Sequence, residues 1–217
     1  MLYYGQEEGG LNMKDIKSKS KQAFNNQANT YDQDIKGQHA RNLYPVLIEE
    51  LSKISYDTIL DLGCGTGAVL QAILNEDCKK KAYGIDISEN MLKVARGKLK
   101  ESATLVLGDS EYLPFENDFF DVVYCNDSFH HYPRPDRVLS ELSRVLKPKG
   151  NLIICDCWQP FLFRDIMNVF MKYSKNGDVK MYSEKEICGL LSVDFNDIVW
   201  KNVNNTSYIV TAKNKKQ

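Results

Sequence analysis

Apolar residues follow two alternating patterns along the chain from about residue 58 onward. Short, nearly continuous apolar runs predict strands over residues 58–62, 81–86, 103–107, 120–125 and 151–155. Between them, apolar residues recur every three or four positions and predict helices over residues 68–74, 88–99, 137–146 and 183–191. Strands that alternate with helices of this length pair in parallel, with helices on both faces of the sheet. The pattern therefore predicts a doubly wound α/β fold.

Local signals refine three boundaries. Ser88 is a favoured residue for capping the start of a helix. Lys147-Pro-Lys-Gly150 is typical of a turn. Residues 195–203 and 207–212 are two β-like runs joined through Asn204-Asn205, so we expect a hairpin and an antiparallel last strand.

The first part of the chain lies outside the alternating pattern. It contains helical patterns over residues 15–28 and 38–53. We expect three parts, listed here: a disordered tail over residues 1–13, a helical cap over 14–55, and a core over 56–217 with a substrate-side insertion at about 157–182. Two interpretations of the tail stay open. It is either a genuine disordered tail or a translated ribosome-binding site, since the Glu and Gly codons of residues 6–13 are purine-rich and precede a possible start at Met13.

Composition narrows the class of partner. The chain has 217 residues with 28 basic and 29 acidic side chains, for a net charge of −1. A nucleic-acid-binding protein normally carries a basic face, so we expect a small-molecule partner and no nucleic acid. No apolar run reaches the roughly 18 residues of a membrane span, and Met1–Ser20 lacks a secretory signal pattern. We expect a cytoplasmic protein, either a monomer or a homodimer.

The six cysteines give no metal-binding pattern. They lie mostly inside apolar runs, and none forms a C-x-x-C pair. Cys155 and Cys157 are two apart on a predicted strand, with every histidine remote in sequence, which is poor spacing for zinc. We therefore expect reduced, buried thiols and no metal centre.

A glycine-rich turn follows the first predicted strand. Gly63-x-Gly65-x-x-Ala68 satisfies the dinucleotide-binding pattern, and Asp86 at the end of the next strand could bind ribose hydroxyls. An NAD-dependent oxidoreductase is therefore one interpretation. Asp61 and Asp109 favour a different ligand from NAD. Carboxylates at this edge of the predicted sheet would repel a pyrophosphate and attract an ammonium or a sulfonium.

Five segments together resemble the class I S-adenosylmethionine-dependent methyltransferases. They are Ile59-Leu-Asp-Leu-Gly-Cys-Gly-Thr-Gly67, Gly84-Ile-Asp-Ile-Ser88, Gly108-Asp109 with Leu113-Pro-Phe115, Phe120-Asp-Val-Val123, and Arg144-Val-Leu-Lys-Pro-Lys-Gly150. In pattern the chain is similar to the ubiquinone/menaquinone-biosynthesis methyltransferase-like branch. Its segment Phe24-x6-Tyr31-Asp32 also resembles the N-terminal segment of that branch. This resemblance implies a seven-stranded Rossmann-like sheet with an antiparallel last strand. It also implies S-adenosylmethionine as cofactor and a small-molecule methyl acceptor.

The resemblance implies contacts between the cofactor and these residues: Tyr31, Arg41, Asp61, Gly63, Cys64, Gly65, Gly67, Asp86, Ile87, Met91, Asp109, Ser110 and Asn126. The glycine loop and Asp61 would hold the methionine part, and Asp86 would bind the ribose. The adenine ring would lie near Met91, which is equally well explained as a core residue, and near Asp109. Arg41 would meet the cofactor carboxylate, or would be an ordinary surface arginine.

The acceptor side has weaker signals. His130 and His131 follow the fourth predicted strand and are candidates for a general base or an acceptor-orienting group; the alternative is a pair of loop histidines that cap backbone groups. Four aromatic residues are candidates for the lining of an apolar or aromatic acceptor pocket, and packing in the core or a lid would explain them equally simply: Tyr132, Trp158, Phe161 and Phe163. Residues 157–182 match no quinone-type signature, and a non-catalytic cofactor-binding module stays a further alternative.

Overall fold

The computed structural model describes residues 13–171 and 173–216. Its helices are α1 (Met13–Gln27), α2 (Gln38–Ser52), α3 (Ala68–Glu76), α4 (Glu89–Leu99), α5 (Pro135–Val145), α6 (Phe161–Met171) and α7 (Glu184–Leu191), with a short 3-10 helix at Phe129–His131. Its strands are β1 (Thr58–Leu62), β2 (Lys81–Asp86), β3 (Ala103–Leu107), β4 (Phe120–Asn126), β5 (Leu146–Cys157), β6 (Phe195–Asn204) and β7 (Ser207–Asn214).

The strands form one seven-stranded sheet in the order β3-β2-β1-β4-β5-β7-β6. The neighbouring strands β3, β2, β1, β4 and β5 pair in parallel. Strand β7 is antiparallel to both of its neighbours, β5 and β6. The predicted fold class and the antiparallel last strand are therefore confirmed. Chain order reverses between β1 and β4, and ligands of open α/β sheets bind beyond the carboxyl ends of the strands at such a point.

Each face of the sheet carries its own apolar core, because successive side chains of a strand point to opposite faces. On β4, Val123 and Cys125 pack on the face covered by α5 and α7, while Val122 and Tyr124 pack on the other face. That second face is covered by α2, α3 and α4, for example through Leu43 of α2. The central strands are therefore buried on both sides, which explains their nearly continuous apolar runs.

Two local predictions meet different outcomes. Ser88 caps α4 as predicted, since its hydroxyl accepts a hydrogen bond from the Met91 N–H at 3.2 Å. The predicted turn over residues 147–150 is wrong in one respect, because this stretch belongs to the first part of β5. The pairing of β4 with β5 shifts register there, between Phe120 and Val122. Lys149 has a φ of 59°, so the residues that suggested a turn produce an irregular strand instead.

The expected division of the chain stays a prediction. Residues 1–12, which carry most of the expected tail and the alternative before Met13, lie outside the described residues. Helix α2 lies in the expected cap and also contributes Leu43, Leu47 and Leu51 to the core. None of the described helices is long and apolar enough to cross a membrane.

Candidate functional site

A cavity opens at the carboxyl ends of β1, β2 and β4, beneath α1 and the start of α2. It encloses about 990 Å³, including the part open to solvent. Its wall contains most of the residues predicted for cofactor contact: Tyr31, Asp61, Gly63, Cys64, Gly65, Asp86, Ile87, Met91, Asp109, Ser110 and Asn126. The fold brings these side chains together because each one follows closely on a strand end or covers it. Arg41, Gly67 and His130 do not line the cavity.

The glycine loop needs glycine for two separate reasons. Gly63 has a φ of 76°, and a Cβ there would lie 2.6 Å from the Ser128 hydroxyl oxygen. Gly67 has a φ of 73°, and its Cβ would lie 2.8 Å from Leu99 Cδ1. Left-handed backbone disfavours any residue with a Cβ. Gly63 thus shapes the cavity wall, whereas Gly67 packs the turn against α4 and does not reach the cavity.

Asp86 links the end of β2 to the glycine loop. One of its carboxylate oxygens accepts a hydrogen bond from the Gly65 N–H at 2.8 Å, and the other accepts from the Ser88 N–H at 2.7 Å. Burial raises the pKa of Asp86, while these backbone donors act in the opposite direction. A carboxylate has about four lone-pair positions, so Asp86 can accept from a diol while it holds the loop.

Asp61 is a buried acid with few partners. Its side chain accepts a hydrogen bond from the Tyr124 hydroxyl at 2.8 Å, and 3% of the residue is exposed. Burial raises the pKa of Asp61 to about 8, despite that hydrogen bond. Nearby, Asn126 donates to the Ala40 carbonyl oxygen at 3.2 Å, while its own buried Oδ1 accepts no hydrogen bond among the described residues. This end of the cavity therefore presents two oxygen acceptors that a cation would satisfy.

The opposite end of the cavity is covered by α1 through an ion pair that the sequence did not predict. Lys17 Nζ lies 2.7 Å from Asp109 Oδ2 and 2.8 Å from Glu111 Oε1. Lys17 and Asp109 are far apart in sequence, and the α1 pattern contains nothing that marks one lysine among several. Other cavity residues that the prediction missed include Ser20, Tyr44, Asp127 and Ser128.

Arg41 has a different position from the predicted one. Its guanidinium donates to the backbone carbonyl oxygens of Tyr31 at 2.5 Å and Asp34 at 2.6 Å. Arg41 therefore holds the segment between α1 and α2, which carries Tyr31, against the cavity. In the same segment Asp32 accepts a hydrogen bond from the Thr66 hydroxyl at 2.6 Å and forms an ion pair with Lys98.

The two histidines after β4 have different surroundings. His130 Nδ1 lies 2.6 Å from Asp156 Oδ1, and this carboxylate outweighs burial and raises the pKa of His130 well above its usual value. His131 lines the cavity, with its ring 5.1 Å from the Phe24 ring in an edge contact. Burial and the neighbouring His130 lower the pKa of His131 to about 4, so His131 is neutral near pH 7.

The four aromatic residues proposed for an acceptor pocket do not share one cavity, because Tyr132 lines the main one whereas Trp158 and Phe161 line a separate one. Tyr132 lines the cavity and lies 3.0 Å from the Ser128 hydroxyl oxygen. Trp158 packs near Trp200 on the far side of β5, with ring centroids 6.2 Å apart. Phe161 and Phe163 lie on α6 and are 70% and 63% exposed. Trp158, Phe161 and Phe163 therefore do not line the cavity at the strand ends, since Trp158 packs against the core and none of the described side chains of α6 is buried.

The comparisons with known proteins agree with this geometry. Residues 60–154 match the family model described as a methyltransferase domain. The chain is 32% identical over 161 residues to the ubiquinone/menaquinone biosynthesis C-methyltransferase UbiE of Wigglesworthia glossinidia brevipalpis, over 70% of this chain and 64% of the relative. It is also 32% identical over 129 residues to a demethylmenaquinone methyltransferase of Thermotoga maritima, over 59% of this chain and 56% of the relative.

Solved structures share the fold at lower identity. A SAM-dependent methyltransferase from Thermotoga maritima superposes with a TM-score of 0.69 at 20% identity, over 91% of this chain and all (100%) of that chain. Phosphoethanolamine N-methyltransferase 2 of Haemonchus contortus, solved with S-adenosyl-L-methionine, superposes with a TM-score of 0.69 at 19% identity, over 81% of this chain and 53% of that chain.

Fold, motifs and comparisons point the same way: the chain shares the fold of SAM-dependent methyltransferases, and residues 60–154 match the methyltransferase-domain model. In sequence it is similar to the quinone-biosynthesis methyltransferases described above. The chain spans between about half and two thirds of the length of these curated relatives, 64% and 56% for the two described above.

Proposed function

We propose that this chain binds S-adenosylmethionine in the cavity and transfers its methyl group to a small-molecule acceptor by in-line displacement. One observation carries the proposal. Three carboxylates, Asp61, Asp86 and Asp109, lie at or just after the ends of β1, β2 and β3 and line one cavity wall beside the glycine loop. That row matches, in order, a cationic amino acid, a ribose diol and an adenine amino group.

The residues at the methionine end fit an ammonium group. Asp61 is a buried carboxyl whose pKa is raised to about 8 by burial, and Asn126 Oδ1 is a buried acceptor with no hydrogen bond among the described residues. A ligand ammonium would donate to both oxygens and favour ionised Asp61, since an opposite charge nearby stabilises the charged form.

At the other end of the cavity the residues fit a nucleoside. Asp86 would accept from the two ribose hydroxyls, and Ile87 and Met91 would cover the faces of the adenine ring. Asp109 would accept from the adenine amino group, with the Ser110 backbone beside it. These roles require Asp109 to share its carboxylate between Lys17, the Glu111 N–H at 3.0 Å and the ligand, which the lone pairs of its two oxygens allow.

The reaction asks the protein mainly for positioning. The sulfonium of S-adenosylmethionine supplies an activated methyl group, and in-line approach with exclusion of water then accounts for much of the rate. Helix α1 and the segment that carries Tyr31 cover the cavity. Neutral His131 lies at its wall, where it can accept a proton from an acceptor hydroxyl or donate a hydrogen bond to it.

We further propose that the acceptor is an apolar, quinone-like small molecule. The two relatives described above are named as methyltransferases of quinone biosynthesis. The cavity wall includes the apolar and aromatic side chains of Phe24, Tyr44 and Tyr132, which suit a ring of that kind. Residues 157–182 carry no quinone-type signature, so the position and identity of ring substituents are left to the assay.

A labelled-methyl assay tests the proposal. The full chain is incubated with methyl-labelled S-adenosylmethionine and a panel of naphthohydroquinones and benzohydroquinones, and labelled product is extracted into organic solvent. We expect transfer by the unmodified chain and by Asp165→Asn, an exposed carboxylate change on α6, but not by Asp61→Ala. Cofactor binding without transfer to any panel member or host metabolite fraction would instead favour a non-catalytic cofactor-binding module.

A further inference from the structure

Three side chains converge beside the cavity, and one of them, His131, lines its wall. His130 and His131 lie on the 3-10 helix, and Asp178 lies in the segment before α7. Asp178 Oδ1 is 3.7 Å from His130 Nε2 and 3.3 Å from His131 Nδ1. Ligand atoms about 2.1 Å from one metal ion stand roughly 3.0 to 3.6 Å apart at ordinary bond angles. The two distances to Asp178 are therefore close to the separation of ligands that share an ion, and all three groups offer ligand atoms within 4.8 Å of one another.

Two of the three groups are oriented by partners on their far atoms. His130 Nδ1–H donates to Asp156 Oδ1 at 2.6 Å, which leaves Nε2 directed toward Asp178. Asp178 Oδ2 accepts a hydrogen bond from the Ser174 hydroxyl, which leaves Oδ1 directed toward the two rings. Histidines that bind metals commonly donate their other ring N–H to a carboxylate in this way.

The third group is a buried nitrogen that makes no hydrogen bond to any described residue and lies 3.3 Å from Asp178 Oδ1. His131 is 9% exposed, and its Nδ1 makes no hydrogen bond within the part of the chain that the structure describes. Backbone contacts fix the two segments relative to each other, because the Val179 N–H donates to the His130 carbonyl oxygen at 2.8 Å. A buried polar atom left unpaired costs free energy, and an ion between these groups would remove that cost.

We propose that His130 Nε2, His131 Nδ1 and Asp178 Oδ1 bind a divalent first-row transition-metal ion. Two imidazoles and a carboxylate suit Zn²⁺, Co²⁺, Mn²⁺ or Fe²⁺ better than Mg²⁺ or Ca²⁺, which prefer oxygen ligands. The site departs from the sequence-based expectation of no metal centre, which rested on cysteine spacing. It assembles from residues that no short motif connects.

A neighbouring group of side chains fits an ion less well. His130, Asp156 and Cys157 also lie close together. However, the His130 Nδ1 to Asp156 Oδ1 distance of 2.6 Å is a hydrogen-bond length and is shorter than the separation of two ligands on one ion. Asp156 is therefore the orienting partner of His130 in this arrangement.

The ion would serve the acceptor side of the cavity. His131 belongs to both the three-residue group and the cavity wall, so an ion bound there would adjoin the cavity. An oxygen of the acceptor could complete the coordination, which would lower the pKa of a hydroxyl as metal ions do for bound water. This role rests on the proposed function, whereas the site itself does not.

Metal titration of the tag-free full chain tests the site. After dialysis against EDTA, the chain is titrated with Zn²⁺ by calorimetry and with Co²⁺ by visible absorption. We expect one ion per chain, with affinity more than about 100-fold weaker in Asp178→Asn and His131→Gln, and roughly 10- to 100-fold weaker in Asp156→Asn, as for other orienting partners. The matched controls Asp165→Asn and His39→Gln should bind Zn²⁺ like the unmodified chain.

The outcomes separate the two proposals. Failure to bind Zn²⁺ stoichiometrically, or equal affinity in Asp178→Asn and Asp165→Asn, would overturn the metal site. Binding of S-adenosylhomocysteine to the same EDTA-treated samples tests the proposed function separately, because the cofactor contacts do not include Asp178. Should His131→Gln fail to fold, Asp178→Asn keeps the test valid, since its side chain is partly exposed, at 22%.

Discussion

The two sides of the cavity are assembled in different ways. On the cofactor side, Asp61, Asp86 and Asp109 each come from the end of a strand or directly after it, and the loop that joins them to the sheet is short. On the acceptor side, His131 meets Asp178 and Phe24, which come from segments far away in sequence. On the proposed cofactor side each carboxylate is therefore placed by the strand end beside it, whereas the proposed acceptor side depends on how segments outside the sheet pack.

This difference has a consequence for mutations. Changes on the cofactor side act on a rigid strand edge whose backbone is held by the sheet, so each should have a defined effect on cofactor affinity. Changes on the acceptor side should leave cofactor affinity nearly intact. The predictions below test that contrast, from the largest expected free-energy change to the smallest.

Gly63→Ala should have the largest effect. An added Cβ would lie 2.6 Å from the Ser128 hydroxyl oxygen, at a φ of 76°. Left-handed backbone costs about 1–2 kcal/mol and overpacking about 1–3 kcal/mol, so the free energy of unfolding should fall by roughly 2–4 kcal/mol in urea titration. The control Gly97→Ala, where a Cβ meets nothing within 4 Å, should be neutral or stabilising. Equal losses in both variants would contradict the account of the loop.

Asp86→Asn should weaken binding of S-adenosylhomocysteine by about 100-fold. Hydrogen bonds to a charged group contribute roughly 1.5–3 kcal/mol, and 1.4 kcal/mol is a factor of ten in affinity. Calorimetric titration measures the change, with Asp165→Asn as the control for loss of one carboxylate charge. An affinity within about threefold of the unmodified chain would show that Asp86 does not bind the ribose.

Asp61→Asn should weaken the same binding by about tenfold and abolish proton release. Burial raises the pKa of Asp61 to about 8, so the ligand-free carboxyl is largely protonated at pH 7. Binding of an ammonium favours the ionised carboxylate of Asp61. The unmodified chain should therefore release about one proton per ligand at pH 7 and fewer above pH 8. Titration in buffers of different ionisation enthalpy measures this release.

The raised pKa of Asp61 also makes the stability of the folded chain fall as pH rises. A carboxyl with a raised pKa in the folded state stabilises the fold while protonated, and that contribution is lost as pH rises through about 8. The ligand-free chain should therefore lose stability between roughly pH 4, near the ordinary pKa of an aspartate, and about pH 8 more steeply than Asp61→Asn does, and should change little above that. Identical pH profiles would contradict the burial of an unpaired carboxyl at this position.

Lys17→Ala should have the smallest effect on cofactor affinity, within about threefold, because partly exposed ion pairs contribute roughly 1 kcal/mol or less. Lys17 pairs with Asp109 at 2.7 Å and joins α1 to the adenine end. Its loss should instead increase hydrogen exchange across α1. A tenfold or greater fall in affinity would contradict this expectation and show that α1 contributes directly to cofactor binding.

The sequence was sufficient for the sheet and for most of the cofactor side. Strands such as β1 and β4 are buried on both faces, so their apolar runs identify them, and the residues after them follow from the position of the strand end. Arg41 was misplaced because its helical position does not show whether the guanidinium faces a ligand or the carbonyl oxygens of residues 31 and 34.

The acceptor side was largely beyond sequence reasoning. Phe161 and Phe163 form an apolar pattern like that of a buried helix, but α6 is exposed, and periodicity alone cannot distinguish the two cases. The convergence of Asp178 with His131 depends on tertiary packing, including the hydrogen bond from the Ser20 hydroxyl to the Asn176 carbonyl oxygen at 3.0 Å. No local pattern encodes a contact between such distant segments.

A direct binding comparison of S-adenosylhomocysteine with NAD tests the central claim, that the cavity is a methyltransferase cofactor site. At a concentration about 100 times its Kd, a ligand stabilises the fold by roughly 2.7 kcal/mol, or about 5–10 °C in Tm for a chain of this size. The account predicts such a shift with S-adenosylhomocysteine and none with NAD. A shift with NAD alone would contradict it and favour a dinucleotide-dependent oxidoreductase.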